Sequence, residues 1–393
     1  MFRNRLYFDY AAGTPVAPSV MRAMRPYFSG AFGNPGSLHS YGQEALAALD
    51  LARERVASAL GAQFREIIFT GSATEANNIA LRGALGKFTA ERGRAIIPRI
   101  IVSAIEHESV LETAKELKRD GADVVILPVS QNGVLDPLTL KEFLNDRTAL
   151  VSIQYANNEV GVVQPIAEIA ERINEQRGDR SPFPLFHTDA AQAFQFLNCT
   201  AGSLRVDLMT LSAHKFYGPK GVGALYVRGE ASRSGFPSFI TGGGQEFMLR
   251  SGTENVPLIV GFGEAVRLVL RNRESESKRI GELAEYFKKK LAVIAQDVRF
   301  NASEGNTPKI PNIISVYFPG RSVSSDLLLK FDLRGLAVSA GSACRARSAE
   351  PSYVLQALGY PRERVERSVR FSLGRPTTKS QIDKALRIIK MSL

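Results

Sequence analysis

The sequence predicts an α/β fold in which a mainly parallel sheet is covered by helices on both faces and joined to a smaller α+β region. Two patterns carry this reading. From about Ser40 onward, short runs rich in β-branched residues alternate with stretches of helical apolar spacing. Around 261–264 the alternation gives way to one long helical stretch, about 261–295, followed by mixed elements. The 393-residue length favours about two domains. A composition of 44% hydrophobic and 23% charged residues suits a globular chain with a substantial core.

Taken in order, "QEALAALDLARERVASALGA" (43–62) has helical spacing and ends in a glycine-containing turn. "EIIFT" (66–70) is a short apolar strand, and "TEANNIALRGAL" (74–85) a helix. "RIIVSAIEH" (99–107) is a strand, "SVLETAKELKRDG" a helix closed by Gly121, and "DVVILPV" (123–129) a strand. The alternation continues through "ALVSIQYANN" (149–158), helical "IAEIAERINEQRG" (166–178), "FPLFHTDAAQ" (183–192) and "VDLMTLSAHK" (206–215). Beyond the long helix, strands are expected in "IPNIISVYF" (310–318) and "VERSVRFSLG" (365–374).

Composition narrows the function classes. Two cysteines cannot build a disulfide framework, which points to a reducing, cytoplasmic setting. The opening residues carry no apolar run of signal-peptide length, and no stretch is long and apolar enough to span a bilayer, so no membrane is expected as partner. The net charge of +11 would suit nucleic acid or an acidic partner. Its carriers, such as "RNRESESKR" (271–279) and "FKKK" (287–290), read as solvated helix faces without the signatures of a nucleic-acid module, so direct nucleic-acid binding is not expected.

In a parallel sheet, ligands sit beyond the carboxyl ends of the strands. Thr74, His107, Asn158, Asp189 and Lys215 each come just after a strand-like run. In "LSAHKFYGPKGVGALYV" (211–227), Lys215 stands between a strand and a glycine-rich turn. Such a lysine is ordinarily surface. Its chemical reading is a Schiff-base lysine, which needs a carbonyl partner such as pyridoxal phosphate. That reading requires an acid for the pyridinium nitrogen, a helix start for the phosphate and a flat side chain over the ring. Asp189 in "FHTDAAQ", Ala73 and Thr74 in "FTGSATEANN", and His107 in "IEHES" supply them. Taken singly, Thr74 reads as a helix cap and His107 as a structural histidine.

These motifs, with "YFDYAAGTPVAP", "GNPGSLHSYG", "NNEVGVVQPI", "GGGQEFMLRSGTENV", "AVSAGSACRARSAEPSYVLQALG" and "SVRFSLGR", run the length of the chain. In order and number they resemble the first-group cysteine desulfurases, the nitrogen-fixation and iron–sulfur-assembly type within the class V aminotransferases. The resemblance implies a fold-type-I PLP-dependent transferase with a seven-stranded, mainly parallel sheet. It implies a large cofactor-binding domain over 16–262. A small α+β domain would comprise 1–15 and 263–393 and carry a mobile cysteine loop at about 339–351.

It also implies roles. Lys215 would form the imine with the cofactor, and Asp189 would pair with the pyridine nitrogen. Gln192 and Asn158 would bond the ring hydroxyl. Ala73, Thr74, Ser212 and His214 would hold the phosphate, with Thr253 reaching in from the second subunit of a homodimer. His107 would stack on the ring and shuttle protons. Arg370 would grip the substrate carboxylate, with Asn158 beside it. Cys344 would take sulfur from L-cysteine as a persulfide, leaving L-alanine. It would pass that sulfur to an acceptor such as an iron–sulfur scaffold or a tRNA-thiolation enzyme. No resident metal is implied, although Cys344 could ligate a nascent cluster transiently. Arg345 and Arg347 replace small polar residues of the usual loop, and nearby arginines favour a thiolate. Cys199 fits no motif and reads as structural. The alternatives are a selenocysteine lyase or second-group desulfurase, or a non-catalytic sulfur-delivery subunit on the same fold.

Overall fold

The β-branched runs of the first 230 residues form one sheet in the computed structural model, which describes residues 5–177, 181–229, 234–303, 305–341 and 351–393. The early elements are β1 (Leu6–Tyr7), α1 (Pro18–Met24), α2 (Ser40–Leu60), β2 (Ile67–Thr70), α3 (Ala73–Arg92), β3 (Arg99–Ser103), α4 (Glu108–Arg119), β4 (Asp123–Leu127), β5 (Thr148–Ser152), β6 (Leu185–Asp189), β7 (Leu208–Ser212) and β8 (Gly223–Val227). Among the described residues the seven-stranded sheet has the order β2-β8-β7-β6-β5-β3-β4. β8 runs antiparallel to both of its neighbours, and every other pair is parallel.

Strand periodicity divides the core into two layers. Ile67, Phe69, Ile101, Val151, Phe186, Met209 and Tyr226 pack on one face, against α2 residues such as Leu49 and Val56. Ile68, Ile100, Val102, Leu150, Leu185, Leu208 and Leu225 pack on the other, against α3 and α4 residues such as Ile79, Phe88 and Val110. Covering both faces is why the strands read as unbroken apolar runs rather than alternating ones. Only the edge strand β4 is substantially open, with Ile126 exposed.

The strands are shorter than the apolar runs that predict them. The run at 149–158 is regular strand only through Ser152, and that at 99–107 only through Ser103. Ile153 and Ile105 remain fully buried beyond the ladder. The chain leaves the sheet at these carboxyl ends while still covered, and so its polar residues turn into an enclosed space.

A 39-residue helix, Val256–Ile294, follows the sheet. Its first half, including Phe262 and Val266, packs into the main core. Its second half, including Ile280, Phe287 and Leu291, packs into a separate core with Leu6, Phe8, Phe331 and Phe371. That second core sits on β9 (Arg299–Phe300), β10 (Ile313–Tyr317) and β12 (Ser368–Ser372), an antiparallel sheet of order β12-β10-β9. β11 (Leu336–Ala337) pairs in parallel with β1. Asp9 bridges to Ser372, which brings the N-terminal strand alongside the last one. The residues immediately after Asp9 are thereby delivered to the carboxyl end of the main sheet.

Candidate functional site

At the carboxyl ends of β5, β6 and β7 lies a cavity of about 200 Å³. It is lined by Ala73, Thr74, His107, Asn158, Asp189, Gln192, Ser212, His214, Lys215 and Arg370, which the sequence places in six separate motifs. Ala11, Ala12, Ser72, Gln154, Ala156 and Ala191 complete the lining.

β7 ends at Ser212, and a 3₁₀ turn, Ala213–Lys215, swings Lys215 into this space. Its Nζ donates to the carbonyl oxygens of Ala11 at 2.7 Å and Ala12 at 3.1 Å. Gln192 Nε2 donates to the same Ala11 oxygen at 2.8 Å. Thr14 locks the N-terminal segment onto the turn. Its N–H and hydroxyl both donate to the His214 carbonyl, and its Oγ1 accepts from the Tyr217 N–H at 2.7 Å. The Ala11 and Ala12 backbone oxygens thus hold the amine inside the cavity.

Asp189 is the last residue of β6 and is nearly buried. Its Oδ1 accepts the Ala191 N–H at 2.9 Å, and its Oδ2 accepts from Asn77 Nδ2 at 2.9 Å. Asn77 comes from the buried face of α3 and also donates to Ser109 Oγ at 2.8 Å. Three elements therefore fix one carboxylate, which faces a cavity that also holds the lysine.

The start of α3 forms another wall. Ser72 is its N-cap, with Oγ accepting the Glu75 N–H at 3.1 Å. The first amides of a helix lack intrahelical partners and favour an anion. A Cβ on Gly223 would stand 2.6 Å from the Ser72 carbonyl carbon and 2.9 Å from the Ala73 nitrogen. Glycine at the start of β8 is what lets the helix start sit this close to the sheet. Ser212 Oγ and His214 Nδ1 lie 3.0 Å apart on the same side.

His107 is the N-cap of α4, and its Nδ1 accepts the Ser109 N–H at 3.1 Å. That bond places the proton of the neutral ring on Nε2. Burial first, and then the Lys215 charge, lower its pKa from the ordinary imidazole range, against an opposing pull from Asp189. His214 is pushed down to about 4 by burial and by the positive neighbours Lys215 and Lys220. Below the site, fully buried His187 is also pushed down to about 4 by burial; it contacts Ser152 Oγ at 2.8 Å and Thr210 Oγ1 at 3.1 Å.

Arg370, on β12, enters from the smaller sheet. Its Nη1 donates to the Asn158 carbonyl at 2.7 Å and its Nη2 pairs with Asp9 at 2.8 Å, while its buried Nε has no partner among the described residues. The strand-end ion pair and a free donor edge therefore coexist on one guanidinium. This orphaned donor, the amine, the carboxylate and the uncovered helix amides together fit a phosphorylated pyridine aldehyde carrying an amino acid. Among the described residues, no group of three or more His, Cys, Asp or Glu is placed to hold a metal ion.

Thr253 lies elsewhere. It lines a second cavity with Gly71, Glu246 and Arg250, beyond the start of α3. Cys344, Arg345 and Arg347 lie outside the described residues. Cys199 is buried, with its thiol pushed up to about 12 by burial, which suits a structural role. Sequence reasoning missed the Ala11 and Ala12 carbonyls, which carry no side-chain signal. It also missed Asn77 and Gln154, whose adjacency to Asn78 and to the "YANNE" run was the available hint.

The family description Aminotransferase class-V matches residues 6–385. A cysteine desulfurase IscS of Dictyoglomus turgidum is 40% identical over 391 residues, covering 99% of this chain and 94% of the relative. A solved NifS-like protein is 34% identical with a TM-score of 0.88, covering 99% of both chains. A second solved structure, SspA in complex with cysteine, is 37% identical with a TM-score of 0.80, covering 94% of this chain and 99% of that one.

Proposed function

The chain belongs to the aminotransferase class-V family and is a cysteine desulfurase of fold type I that uses pyridoxal phosphate, and we propose that it moves sulfur from L-cysteine onto Cys344. The observation that carries the reading is that Lys215, Asp189, His107, Arg370 and the start of α3 line one cavity.

When bound, the cofactor supplies an aldehyde for the substrate amine and a ring that takes up charge from the substrate carbon. The chain's own groups do the rest. Arg370 binds the substrate carboxylate through N–H groups not used on Asp9 and Asn158. Asp189, fixed by Asn77 and Ala191, holds negative charge opposite the ring nitrogen. Ala73, Thr74, Ser212 and His214 bind phosphate, and Gln192 and Asn158 face the ring hydroxyl. Lys215 holds the proton that leaves Cα. Neutral His107 covers the ring and offers its Nε2 proton.

The sulfur step balances. The Cys344 thiolate forms an S–S bond to the substrate sulfur, the C–S bond breaks, and its electron pair remains on carbon. Carbon then takes a proton, so L-cysteine and a thiol become L-alanine and a persulfide. A sulfur-accepting protein, such as an iron–sulfur scaffold or a tRNA-thiolation enzyme, takes the sulfur in turn.

The protein works as a cytoplasmic homodimer in which Thr253 completes the partner's phosphate site. Thr253's place outside the Lys215 cavity supports this, as do the exposed apolar side chains of Met21, Phe28, Phe32, Leu38 and Tyr41. The division into 16–262 and 1–15 with 263–393 is supported by the two cores, although the 262/263 border falls within the long helix. No helix among the described residues is long and apolar enough to cross a membrane.

The test is to incubate the PLP-loaded protein with L-cysteine and to measure alanine and the mass of the Cys344 peptide. Wild type gains one sulfur on that peptide and releases alanine, whereas Cys344→Ser binds cofactor and makes no persulfide. Alanine released at the wild-type rate by Cys344→Ser would overturn the assignment.

A further inference from the structure

Behind the start of α3 a carboxylate and a guanidinium stand where the proposed phosphate site needs a favourable field. Glu75 lies in the first turn of the helix whose Ser72, Ala73 and Thr74 line the cofactor cavity. Its Oε2 folds back to accept the Gly71 N–H at 2.9 Å, closing the turn that presents those residues. Its Oε1 accepts from Arg250 Nε at 2.8 Å, and both side chains are largely covered. A bound phosphate and Glu75 would be two anions at one helix N-terminus, competing for the same dipole. Arg250 is the cation that makes them compatible.

The segment carrying Arg250 is held with unusual firmness. Glu246, Phe247 and Met248 have φ of 48°, 56° and 69°, a left-handed run of three non-glycine residues. Such backbone is strained and persists only where its surroundings enforce it. The enforcement is visible. Glu246 is buried and makes two 2.8 Å bonds to the Arg53 guanidinium, and its Oε2 also accepts the Phe69 N–H at 2.8 Å. Arg53 in turn lies over the rings of Phe64, Phe69 and Phe247. This clamp sits four residues before Arg250 and ties its backbone to β2, the strand that leads into the phosphate turn.

We propose that Arg250 is a positioning residue for the cofactor phosphate, acting through Glu75 by neutralising it and holding it on the Gly71 amide. The proposal rests on the Lys215 cavity being the PLP site. It predicts opposite signs for the two partners. Arg250→Gln leaves Glu75 uncompensated beside the phosphate and weakens binding. Glu75→Gln removes the competing anion, keeps an oxygen for Gly71, and does not weaken it.

The experiment titrates cofactor-free protein with pyridoxal phosphate and, separately, with pyridoxal, which lacks the phosphate. Dissociation constants are read by absorbance. For Arg250→Gln the constant for pyridoxal phosphate rises about tenfold, the size expected for one uncompensated, partly screened charge, while that for pyridoxal stays put. Glu75→Gln binds pyridoxal phosphate at least as tightly as wild type, and the double variant recovers most of the loss. Equal weakening of both ligands, weakening by Glu75→Gln, or a double variant no better than Arg250→Gln would each overturn the proposal. If Arg250→Gln does not fold, Glu75→Gln alone decides by its sign. A wild-type protein that does not prefer pyridoxal phosphate to pyridoxal would instead remove the PLP reading, and the proposal with it.

Discussion

The Nζ of Lys215 and the carbonyl oxygen of Ala11, 204 positions apart in the chain, meet at 2.7 Å. The contact joins the N-terminal segment to the end of β7 and holds the amine at the carboxyl edge of the main sheet. Lys215→Ala removes the only lysine lining this cavity among the described residues. Turnover of L-cysteine is expected to fall below detection. Cofactor should still bind through its phosphate, without the visible absorption of the lysine-linked form. Normal sulfide release by the variant would exclude Lys215 from the chemistry.

Arg370 offers a sharper comparison, because its guanidinium serves two masters. Arg370→Lys keeps a positive charge for Asp9 but loses the planar fork and the unpartnered Nε. A charge-assisted hydrogen bond contributes about 1.5–3 kcal/mol, so KM for L-cysteine should rise by roughly 10- to 100-fold while cofactor affinity stays unchanged. Steady-state kinetics together with a cofactor titration separate the two. An unchanged KM would leave Arg370 as a structural ion pair between the N-terminal segment and the last strand.

The side-chain chemistry of the pocket was legible because parallel strands deliver the residues at and just after their carboxyl ends to one edge: Asp189 ends a strand, and Lys215 and His107 each follow one. What was not legible has physical reasons. The Ala11 carbonyl has no side-chain signature, and its partner is distant in sequence. Strand ends were overrun because Ile105 and Ile153 stay buried beyond the last strand residues, Ser103 and Ser152, so apolar sequence continues past the regular strand. α3 runs to Arg92 rather than 85 because Phe88 still faces the core. The border between the two cores was hard to see because one unbroken helix serves both, and its periodicity carries no mark where its packing partner changes. Glu246 and Arg53 read as ordinary charged residues, and only the fold shows that they bury each other.

Gly223 tests the approach of α3 to the sheet. In Gly223→Ala the new methyl would meet backbone atoms of Ser72 and Ala73, which cannot rotate aside. The helix start must move, at a cost of about 1–3 kcal/mol in stability for overpacking, and the amides of the proposed phosphate site move with it. Denaturant unfolding of the cofactor-free protein and a pyridoxal phosphate titration should both show a loss. If both are unchanged, the close approach is not required.

The last prediction concerns acid and base limits of stability in the cofactor-free protein. His187 and His214 are pushed down to about 4 from an ordinary 6.5, and His107 is lowered as well, with burial the leading cause in all three. Each stays neutral in the folded state while the unfolded chain takes up a proton below about 6.5. The contribution of His187 and His214 is therefore complete above that pH and is lost as pH falls toward 4, by up to about 1.4 kcal/mol per pH unit for each, and His107 acts in the same direction. Glu106 has the opposite sign. It is fully buried, accepts from the Gln154 N–H at 2.9 Å and from the Ser103 hydroxyl, and burial raises its pKa to about 8, with the Asp189 charge adding to the rise. Folded, it keeps its proton over a range in which the unfolded chain has released it, so stability falls as pH rises from about 4.5 toward 8. Between about 4.5 and 6.5 the two effects oppose each other, and above 6.5 the acid's effect remains alone. Stability measured by urea unfolding should peak in the mid-6 range and decline toward pH 8. Glu106→Gln, which keeps an acceptor for Gln154 and cannot ionise, should flatten the decline between 6.5 and 8 and steepen the rise between 4.5 and 6.5, where the histidine effect then acts unopposed. If that variant retains the wild-type slope above 6.5, the decline has another source and Glu106 is not a neutral acid in the fold.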